Sequence, residues 1–241
     1  SIPVLILGET GTGKYLVAKA LHHQGIRAGK PYHSINCGAL TESILENELF
    51  GHKRGSYTDA VRETEGLFEA CEGGTINLDE VTMLSPVGQS KLLEVVENGR
   101  FYKIGSSIPT NTDVRIIAST NDDIAKLRQD LFYRLSVATI QLPPLRERKE
   151  DIPKLIDYFL HKFTSNYNKP VPAFTEEEYA KFMDYSWSGN VRQLRNLVEG
   201  IVVLDLPREP PTEVQQKPNI SPTETIDEKL EIIQLSEFRR T

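Results

Sequence analysis

A glycine-rich segment near the start of the chain constrains the fold more than any other feature. It reads Gly8-Glu9-Thr10-Gly11-Thr12-Gly13-Lys14 and lies between an apolar run at residues 4–7 and a helical pattern that begins at Leu16. In this context, backbone N–H groups of the loop surround a phosphate and the lysine reaches the terminal phosphates. The alternative is a glycine turn with a surface lysine, which leaves the flanking patterns unexplained. The segment predicts a phosphate-binding loop in a nucleotide-binding α/β domain.

Tyr15 stands directly after this lysine, where many phosphate-binding loops carry a Ser or Thr that ligates Mg²⁺. A phenol on a rigid ring is a poor substitute for that hydroxyl. We therefore count Tyr15 among the residues around the nucleotide, and expect the metal to depend on Asp79 and water.

A second nucleotide motif is the run Thr75-Ile76-Asn77-Leu78-Asp79-Glu80, which follows two glycines. An apolar strand here delivers two carboxylates at its end, and we assign Asp79 to the metal and Glu80 to polarising the attacking water. An ordinary acidic junction between a strand and a loop is the alternative. Asn77 is expected to be buried, and because an unpaired buried amide costs about 1–3 kcal/mol, we expect it to have a hydrogen-bond partner.

A third strand pattern, Val114–Ser119, is followed by Thr120 and Asn121. Ligands of open α/β sheets bind at the carboxyl ends of the strands. We therefore expect Thr120 and Asn121 to face the same crevice and to sense the γ-phosphate.

Strand and helix patterns alternate over the first 144 residues. The predicted strands are Val4–Leu7, Tyr32–Asn36, Thr75–Asp79, Val114–Ser119 and Val137–Gln141. Helical patterns lie at Leu16–His23, Ile44–Phe50, Gly66–Cys71, Ser90–Glu97 and Ile124–Leu135. This alternation predicts a parallel sheet that is covered by helices on both faces.

The pattern is purely helical after Pro144. Residues 152–163 follow the i, i+3, i+4, i+7 spacing of an amphipathic helix, a weaker helix covers residues 176–185, and a third helix starts at Asn190, which we take as its N-cap. Residues 205–241 have the proline-rich, acidic composition of a linker. The sequence thus predicts an α/β core over residues 1–144, a small all-helical domain over residues 145–204, and a tail over residues 205–241.

The charge balance limits what the chain can bind by itself. Lys and Arg total 28 against 34 Asp and Glu, a formal net charge of -6. A protein that binds nucleic acid through its own surface is usually basic. This composition therefore disfavours a protein that binds DNA without a further domain.

Further counts indicate the cellular setting. Two cysteines are too few for a disulfide scaffold, and no apolar run approaches the ~18 residues of a membrane span. We therefore expect a cytoplasmic protein without membrane contact. Because the first strand starts almost at the first residue, we also expect the chain to be a piece of a longer protein.

Several separate stretches resemble one family, the central AAA+ domains of bacterial enhancer-binding activators that act on sigma-54 RNA polymerase (NtrC-like activators). The stretches are Gly8–Lys14, Glu48–His52, Gly73–Glu80, Leu142–Ile152 and Trp187–Arg192. The resemblance covers nearly all of residues 3–204. It implies an AAA+ P-loop NTPase with a five-stranded parallel sheet and a helical lid, ATPase activity with ATP and Mg²⁺, and assembly into a hexameric or heptameric ring.

The resemblance also implies roles for residues that local chemistry leaves open. Arg192 is similar to the arginine that reaches from the lid to the nucleotide, although a solvent-facing helix arginine is the alternative. Arg128 and Arg134 resemble the paired arginines that a subunit offers to its neighbour's ATP, which would make the active site shared. They lie six positions apart and so do not share one helix face, which leaves an ordinary surface arginine open for one of them. Asn36 resembles the asparagine that pairs with the catalytic glutamate, and a capped strand end is its alternative.

The segment Gly55-Ser56-Tyr57-Thr58-Asp59-Ala60 resembles the family's Gly-Ala-Phe-Thr-Gly-Ala loop, which contacts sigma-54. Tyr57 keeps an aromatic ring at the tip, whereas Asp59 adds a charge where the family has glycine. The resemblance implies a transcriptional activator that remodels sigma-54 RNA polymerase holoenzyme for open-complex formation and contacts DNA only through a domain outside this chain. A nucleotide-binding regulatory module of the same fold that does not act on sigma-54 is the alternative.

Overall fold

A computed structural model describes residues 2–55, 63–121 and 124–211 of the chain. Contacts divide the chain into two units, Ser1–Arg208 and Glu209–Thr241, and every element described below belongs to the first unit.

Five parallel strands form the main sheet, in the order β2-β3-β6-β1-β7. The strands of the chain are β1 Val4–Leu7, β2 Tyr32–Asn36, β3 Thr75–Asp79, β4 Arg100–Tyr102, β5 Pro109–Asn111, β6 Arg115–Thr120 and β7 Ala138–Gln141. Strands β4 and β5 form a separate antiparallel hairpin, which the sequence did not predict. The predicted bounds of β1, β2 and β3 are confirmed, and β6 and β7 each begin one residue later than predicted.

Eight α-helices accompany the strands in the described residues. They are α1 Lys14–His23, α2 Glu42–Phe50, α3 Leu67–Ala70, α4 Pro86–Asn98, α5 Gln129–Leu135, α6 Asp151–Tyr167, α7 Glu176–Asp184 and α8 Asn190–Leu204. Side chains of β1 alternate between the two faces of the sheet, as a strand with a period of two requires. Val4 and Ile6 pack with Ala18 of α1, whereas Leu5 joins the larger apolar core on the other face. The sheet is therefore covered on both faces, as predicted.

The predicted helix over Ile124–Leu135 is confirmed for Gln129–Leu135 and wrong for the residues before it, because the helical pattern is interrupted at Arg128. A short 3₁₀ turn, Ile124–Lys126, precedes the break, and Arg128 has an extended conformation with ψ 137°. Gln89 of α4 supplies the hydrogen bonds that a continuous helix would have made: its amide donates to the Lys126 carbonyl over 3.1 Å and its oxygen accepts the Arg128 N–H over 2.8 Å. A buried glutamine thus fixes the break from a distant part of the chain.

Asn77 of β3 is fully buried, and its expected partner is present on one side of the amide. Its Nδ2 donates to Ser34 Oγ on β2 over 2.8 Å. Its Oδ1 is buried without a hydrogen-bond partner among the described residues. The expected hydrogen-bond partner is therefore confirmed, and it satisfies the nitrogen of the amide.

The last three helices form a helical lid with its own apolar core. Leu145, Ile156, Phe182, Trp187 and Val198 are among its buried residues. Thr175 and Glu178 cap the N-terminus of α7 with a capping box, in which each side chain accepts a hydrogen bond from the other residue's backbone N–H. Within the described part of the chain, no helix has the length and apolar character needed to cross a membrane.

Candidate functional site

The phosphate-binding loop joins β1 to α1 at the carboxyl edge of the sheet, as predicted. Gly11 and Gly13 have φ values of 84° and 108°, a left-handed region that glycine adopts without strain. A Cβ on Gly11 would also collide with the backbone carbonyl of Gly189. The glycine therefore permits both the turn of the loop and the close approach of the lid.

Lys14 is buried at the first turn of α1, and its ammonium contacts the loop itself. Its Nζ donates to the carbonyl oxygen of Gly8 over 2.7 Å and to that of Glu9 over 3.2 Å. These two carbonyls hold the side chain above the loop. They also solvate the ammonium charge, which is buried and would otherwise lack polar contacts. Phosphate oxygens of a nucleotide would replace these two carbonyls as acceptors.

Asp79 ends β3 next to β6, and a serine of β6 fixes its carboxylate. Ser119 Oγ donates to Asp79 Oδ1 over 2.6 Å, and the Glu80 N–H donates to the same oxygen over 3.2 Å. A strand-end carboxylate that is oriented by a buried hydroxyl, at the same sheet edge as a phosphate-binding loop, fits a hard cation with oxygen ligands such as Mg²⁺. Tyr15 is 47% exposed and lies at the start of α1.

Glu80 follows Asp79 in a strained backbone conformation. Its φ of 55° and ψ of 47° are left-handed, which costs a non-glycine residue about 1 kcal/mol or more. An ideal Cβ on Gly38 would lie 2.6 Å from Glu80 Oε2 and 3.3 Å from Asn36 Oδ1. The side chains of Glu80 and Asn36 therefore meet at Gly38, and Asn36 Oδ1 accepts the Gly38 N–H over 2.7 Å.

Cys37 lies beside these two residues but offers no nucleophile. Burial raises the pKa of its thiol to about 12, and the carboxylates of Asp79 and Glu80 add to the shift. The thiolate form is therefore negligible at neutral pH.

Thr120 and Asn121 occupy different environments. Thr120 is fully buried, and its Oγ1 lies 3.1 Å from Oγ1 of Thr82 in the turn that follows Glu80. Asn121 is exposed at the end of β6. The structure thus connects Thr120 to the segment that carries Glu80, while Asn121 has the exposure expected of a ligand-facing residue.

Arg192 lies in the first turn of α8, against the phosphate-binding loop. Its N–H donates to the Gly11 carbonyl over 3.3 Å. Its side chain lines a shallow cleft with Gln193 and Asn196 of the same helix. The lid therefore brings Arg192 to the side of the loop.

Asn190 is not the N-cap that the sequence predicted. It is the first residue of α8, is fully buried and has a left-handed φ of 52°. Its Nδ2 donates to the Thr10 carbonyl and to Glu9 Oε2, each over 3.1 Å, and its Oδ1 accepts the Leu145 N–H over 2.8 Å. The amide joins the lid to the loop instead of capping its own helix.

Arg128 and Arg134 are both paired within the chain. Arg128 binds both carboxylate oxygens of Asp130, and Arg134 donates to Glu97 over 2.7 Å. Both side chains are about half exposed, where water weakens an ion pair. Arg128 is the more firmly held of the two, because its Nη1 also donates to Ser90 Oγ over 3.0 Å. Arg134 has a single exposed partner, which it can leave at a small cost in free energy.

The segment that resembles the sigma-54 contact loop lies mostly outside the described residues. Of its positions only Gly55 is described, with a φ of 80°, and Ser56, Tyr57, Thr58, Asp59 and Ala60 are not.

Sequence reasoning assigned no role to Ser119 or Arg146, which the structure places at or beside the site, and it took Asn190 only as an N-cap. Ser119 had one signal, a polar residue directly after the apolar run Ile116-Ile117-Ala118. Arg146 and Asn190 lie within stretches that carried the family resemblance, but their partners are more than a hundred residues away in the chain.

Comparison with known protein families gives two matches. The model described as the sigma-54 interaction domain matches residues 1–141, and that of an AAA+ ATPase lid domain matches residues 146–219.

Individual proteins agree with these matches. The transcriptional regulatory protein ZraR of Klebsiella oxytoca is 46% identical over 207 residues, which cover 83% of this chain and 47% of that protein. The Nif-specific regulatory protein of Azotobacter vinelandii is 44% identical over 207 residues, covering 83% of this chain and 40% of that protein. Among solved structures, NtrX from Brucella abortus in complex with ADP has a TM-score of 0.79 and 33% identity, covering 99% of this chain and 55% of that chain. The chain thus spans less than half the length of the two curated relatives.

Proposed function

The chain belongs to the sigma-54 interaction family of AAA+ ATPases, and we propose that it hydrolyses ATP to remodel sigma-54 RNA polymerase holoenzyme for open-complex formation. The observation that carries this proposal is the placement of Lys14, Asp79 and Glu80 at the carboxyl ends of strands of one parallel sheet, with the backbone of Arg192 of the lid bonded to the phosphate-binding loop. A water-activating carboxylate beside a phosphate-binding loop is the arrangement that hydrolysis requires and that simple nucleotide binding does not.

Each of these residues has a separate task in the proposed reaction. The loop N–H groups and Lys14 bind the phosphates, and Arg192 contacts them from the lid. Glu80 orients the attacking water and takes its proton. Thr120 and Asn121, at the end of the neighbouring strand β6, sense the γ-phosphate. Asp79, held by Ser119, would bind Mg²⁺, which neutralises charge on the phosphate oxygens.

We place the nucleotide base beside α8. Gln193, Asn196 and Leu197 line a cleft there together with Arg192. A base in this cleft would place its phosphates toward Gly11, whose carbonyl accepts the Arg192 N–H.

We further propose that subunits assemble into a ring and share the active site. Arg134, and with it Arg128, would leave its exposed carboxylate partner and reach the neighbouring subunit's γ-phosphate. An arginine that is supplied in this way stabilises charge that develops in the transition state, and is worth about 10³–10⁵ in rate.

The contact with sigma-54 is assigned to the segment Gly55–Ala60, with Tyr57 and Thr58 as the residues that bind. DNA contact is assigned to a domain outside this chain, since the formal charge of -6 disfavours a nucleic-acid surface here. The cytoplasm, where RNA polymerase acts, is the proposed location.

A capture experiment tests the sigma-54 part of the proposal. The chain is loaded with Mg²⁺, ADP and aluminium fluoride as a transition-state mimic and passed over immobilised sigma-54. Retention that depends on the mimic and is lost in Thr58→Ala supports the proposal. ATP hydrolysis without any retention would favour the second candidate, a nucleotide-binding regulatory module, for which the charge of Asp59 in the loop is the specific observation.

A further inference from the structure

Several polar contacts in the described residues hold the lid against the phosphate-binding loop. Three of them run from lid donors to loop carbonyls: Asn190 Nδ2 to the Thr10 oxygen over 3.1 Å, Arg148 Nη2 to the Thr12 oxygen over 2.9 Å, and the Arg192 N–H to the Gly11 oxygen over 3.3 Å. The others converge on the side chain of Glu9. The loop therefore contributes one acidic side chain to a junction that is otherwise made by its backbone.

The carboxylate of Glu9 is fully engaged by the lid. Arg146 donates from Nη2 to Oε1 over 2.6 Å and from Nη1 to Oε2 over 2.9 Å, which is a two-bond fork with a fixed orientation. Asn190 Nδ2 donates to Oε2 over 3.1 Å. Hydrogen bonds from Arg146 and Asn190 lower the pKa of Glu9 to about 2, so the carboxylate is charged at neutral pH.

The two donors lie in two segments that meet at the start of α8. Arg146 lies in the connection between the sheet and the lid, and Asn190 is the first residue of α8. Asn190 also accepts the Leu145 N–H, so the connection and the helix start are tied to each other as well as to Glu9. Arg192 follows two residues later in the same turn.

We propose that Glu9 is a positioning residue, which through Arg146 and Asn190 sets the start of α8 against the phosphate-binding loop and so places Arg192 beside the bound nucleotide. This inference rests on the proposed function, because it concerns the same nucleotide site. The role assigned to Glu9 is positional because its carboxylate is bonded to Arg146 and Asn190.

A structural role alone would give a different result from a positioning role. If Glu9 only stabilised the lid, its loss and the loss of Arg192 would weaken nucleotide binding independently, and the two effects would multiply. If Glu9 acts through Arg192, the loss of Glu9 does not weaken nucleotide binding further in a variant that already lacks Arg192.

The test is a double-mutant cycle on nucleotide binding and turnover. Dissociation constants for a fluorescent ATP analogue, and KM and kcat for ATP, are measured for Glu9→Gln, Arg192→Ala and the double variant. We expect Glu9→Gln to raise the dissociation constant and KM about tenfold with kcat changed less than about threefold, and the double variant to bind no more weakly than Arg192→Ala. Arg146→Lys, which keeps the charge but not the fork, should give an intermediate value.

Glu177→Gln is the matched control, because it removes a carboxylate from an exposed lid ion pair with Lys181. It should leave all three constants unchanged. Multiplied losses in the double variant, or an unchanged dissociation constant in Glu9→Gln, would overturn the inference. A wild-type chain that binds the analogue but does not hydrolyse ATP would instead contradict the proposed function, so the two failures are distinguishable.

Discussion

Ser119 Oγ donates a 2.6 Å hydrogen bond to Oδ1 of Asp79 on the neighbouring strand. The bond joins the end of β6 to the end of β3, and a buried serine thereby orients a half-buried carboxylate. A carboxylate that is oriented in this way would suit the Mg²⁺ that we propose for this site.

Removal of this hydroxyl should weaken metal binding. In Ser119→Ala the carboxylate loses its fixed orientation, and we expect the Mg²⁺ concentration for half-maximal ATPase activity to rise about tenfold. The measurement is a Mg²⁺ titration at saturating ATP. Ser107→Ala, at an exposed position between β4 and β5, is the control. An unchanged Mg²⁺ requirement would show that Ser119 does not support the metal ligand.

Lys14 is expected to be essential for nucleotide binding. In Lys14→Ala the phosphates lose a charged donor that the structure holds above the loop, so the affinity for ATP should fall by about 100-fold or more. Lys19→Ala removes an exposed lysine of the same helix and should bind normally. Tight binding of a fluorescent ATP analogue by Lys14→Ala would refute the assignment of the loop.

Glu80 is expected to act in the chemical step and not in binding. Glu80→Gln keeps the size of the side chain but removes the base, so the hydrolysis rate should fall by about 10²–10⁴ while ATP remains bound. Single-turnover hydrolysis and filter binding measure the two quantities. A variant that binds ATP weakly, or one that turns it over normally, would contradict this role.

The Glu9 contacts with the lid should weaken in acid. The pKa of Glu9 is lowered from 4.5 to about 2, so its stabilising contribution is complete above pH 4.5 and disappears as the pH falls toward 2. Because the pair is partly exposed, we expect a contribution of only about 1 kcal/mol to the free energy of unfolding.

Trp187 provides the signal for this measurement, because it is the single tryptophan and is buried in the lid. Urea unfolding followed by its fluorescence should show wild type more stable than Glu9→Gln at pH 7, with the difference shrinking below pH 4.5. A difference that grows as the pH falls would have the wrong sign for a carboxylate with a lowered pKa.

The sheet and the two nucleotide motifs could be predicted because their signals are local. The strand Val4–Leu7 is a short apolar run that ends at a glycine, and Thr75–Asp79 ends in carboxylates, so both bounds follow from neighbouring residues. The nearby Lys14 and Glu80 then follow from their positions in these motifs.

The break at Arg128 and the role of Asn190 could not be predicted because distant residues decide them. Leu127, Leu131 and Leu135 have helical spacing, and nothing near them indicates that Gln89 will bond to the backbone between them. Asn190 has the residue type and position of an N-cap, yet Thr10 and Glu9 bind its amide across the fold. Single-sequence patterns do not contain such long-range polar pairings.

Mixing two inactive variants tests the shared active site most directly. Glu80→Gln keeps Arg134, and Arg134→Ala keeps Glu80, so neither forms a complete site alone. In an equal mixture that exchanges subunits, about a quarter of the sites combine an intact glutamate with a neighbour's intact arginine, and ATPase activity should recover to about a quarter of the wild-type rate. A mixture that stays as inactive as its components, although the subunits have exchanged, would contradict a site that is built from two subunits.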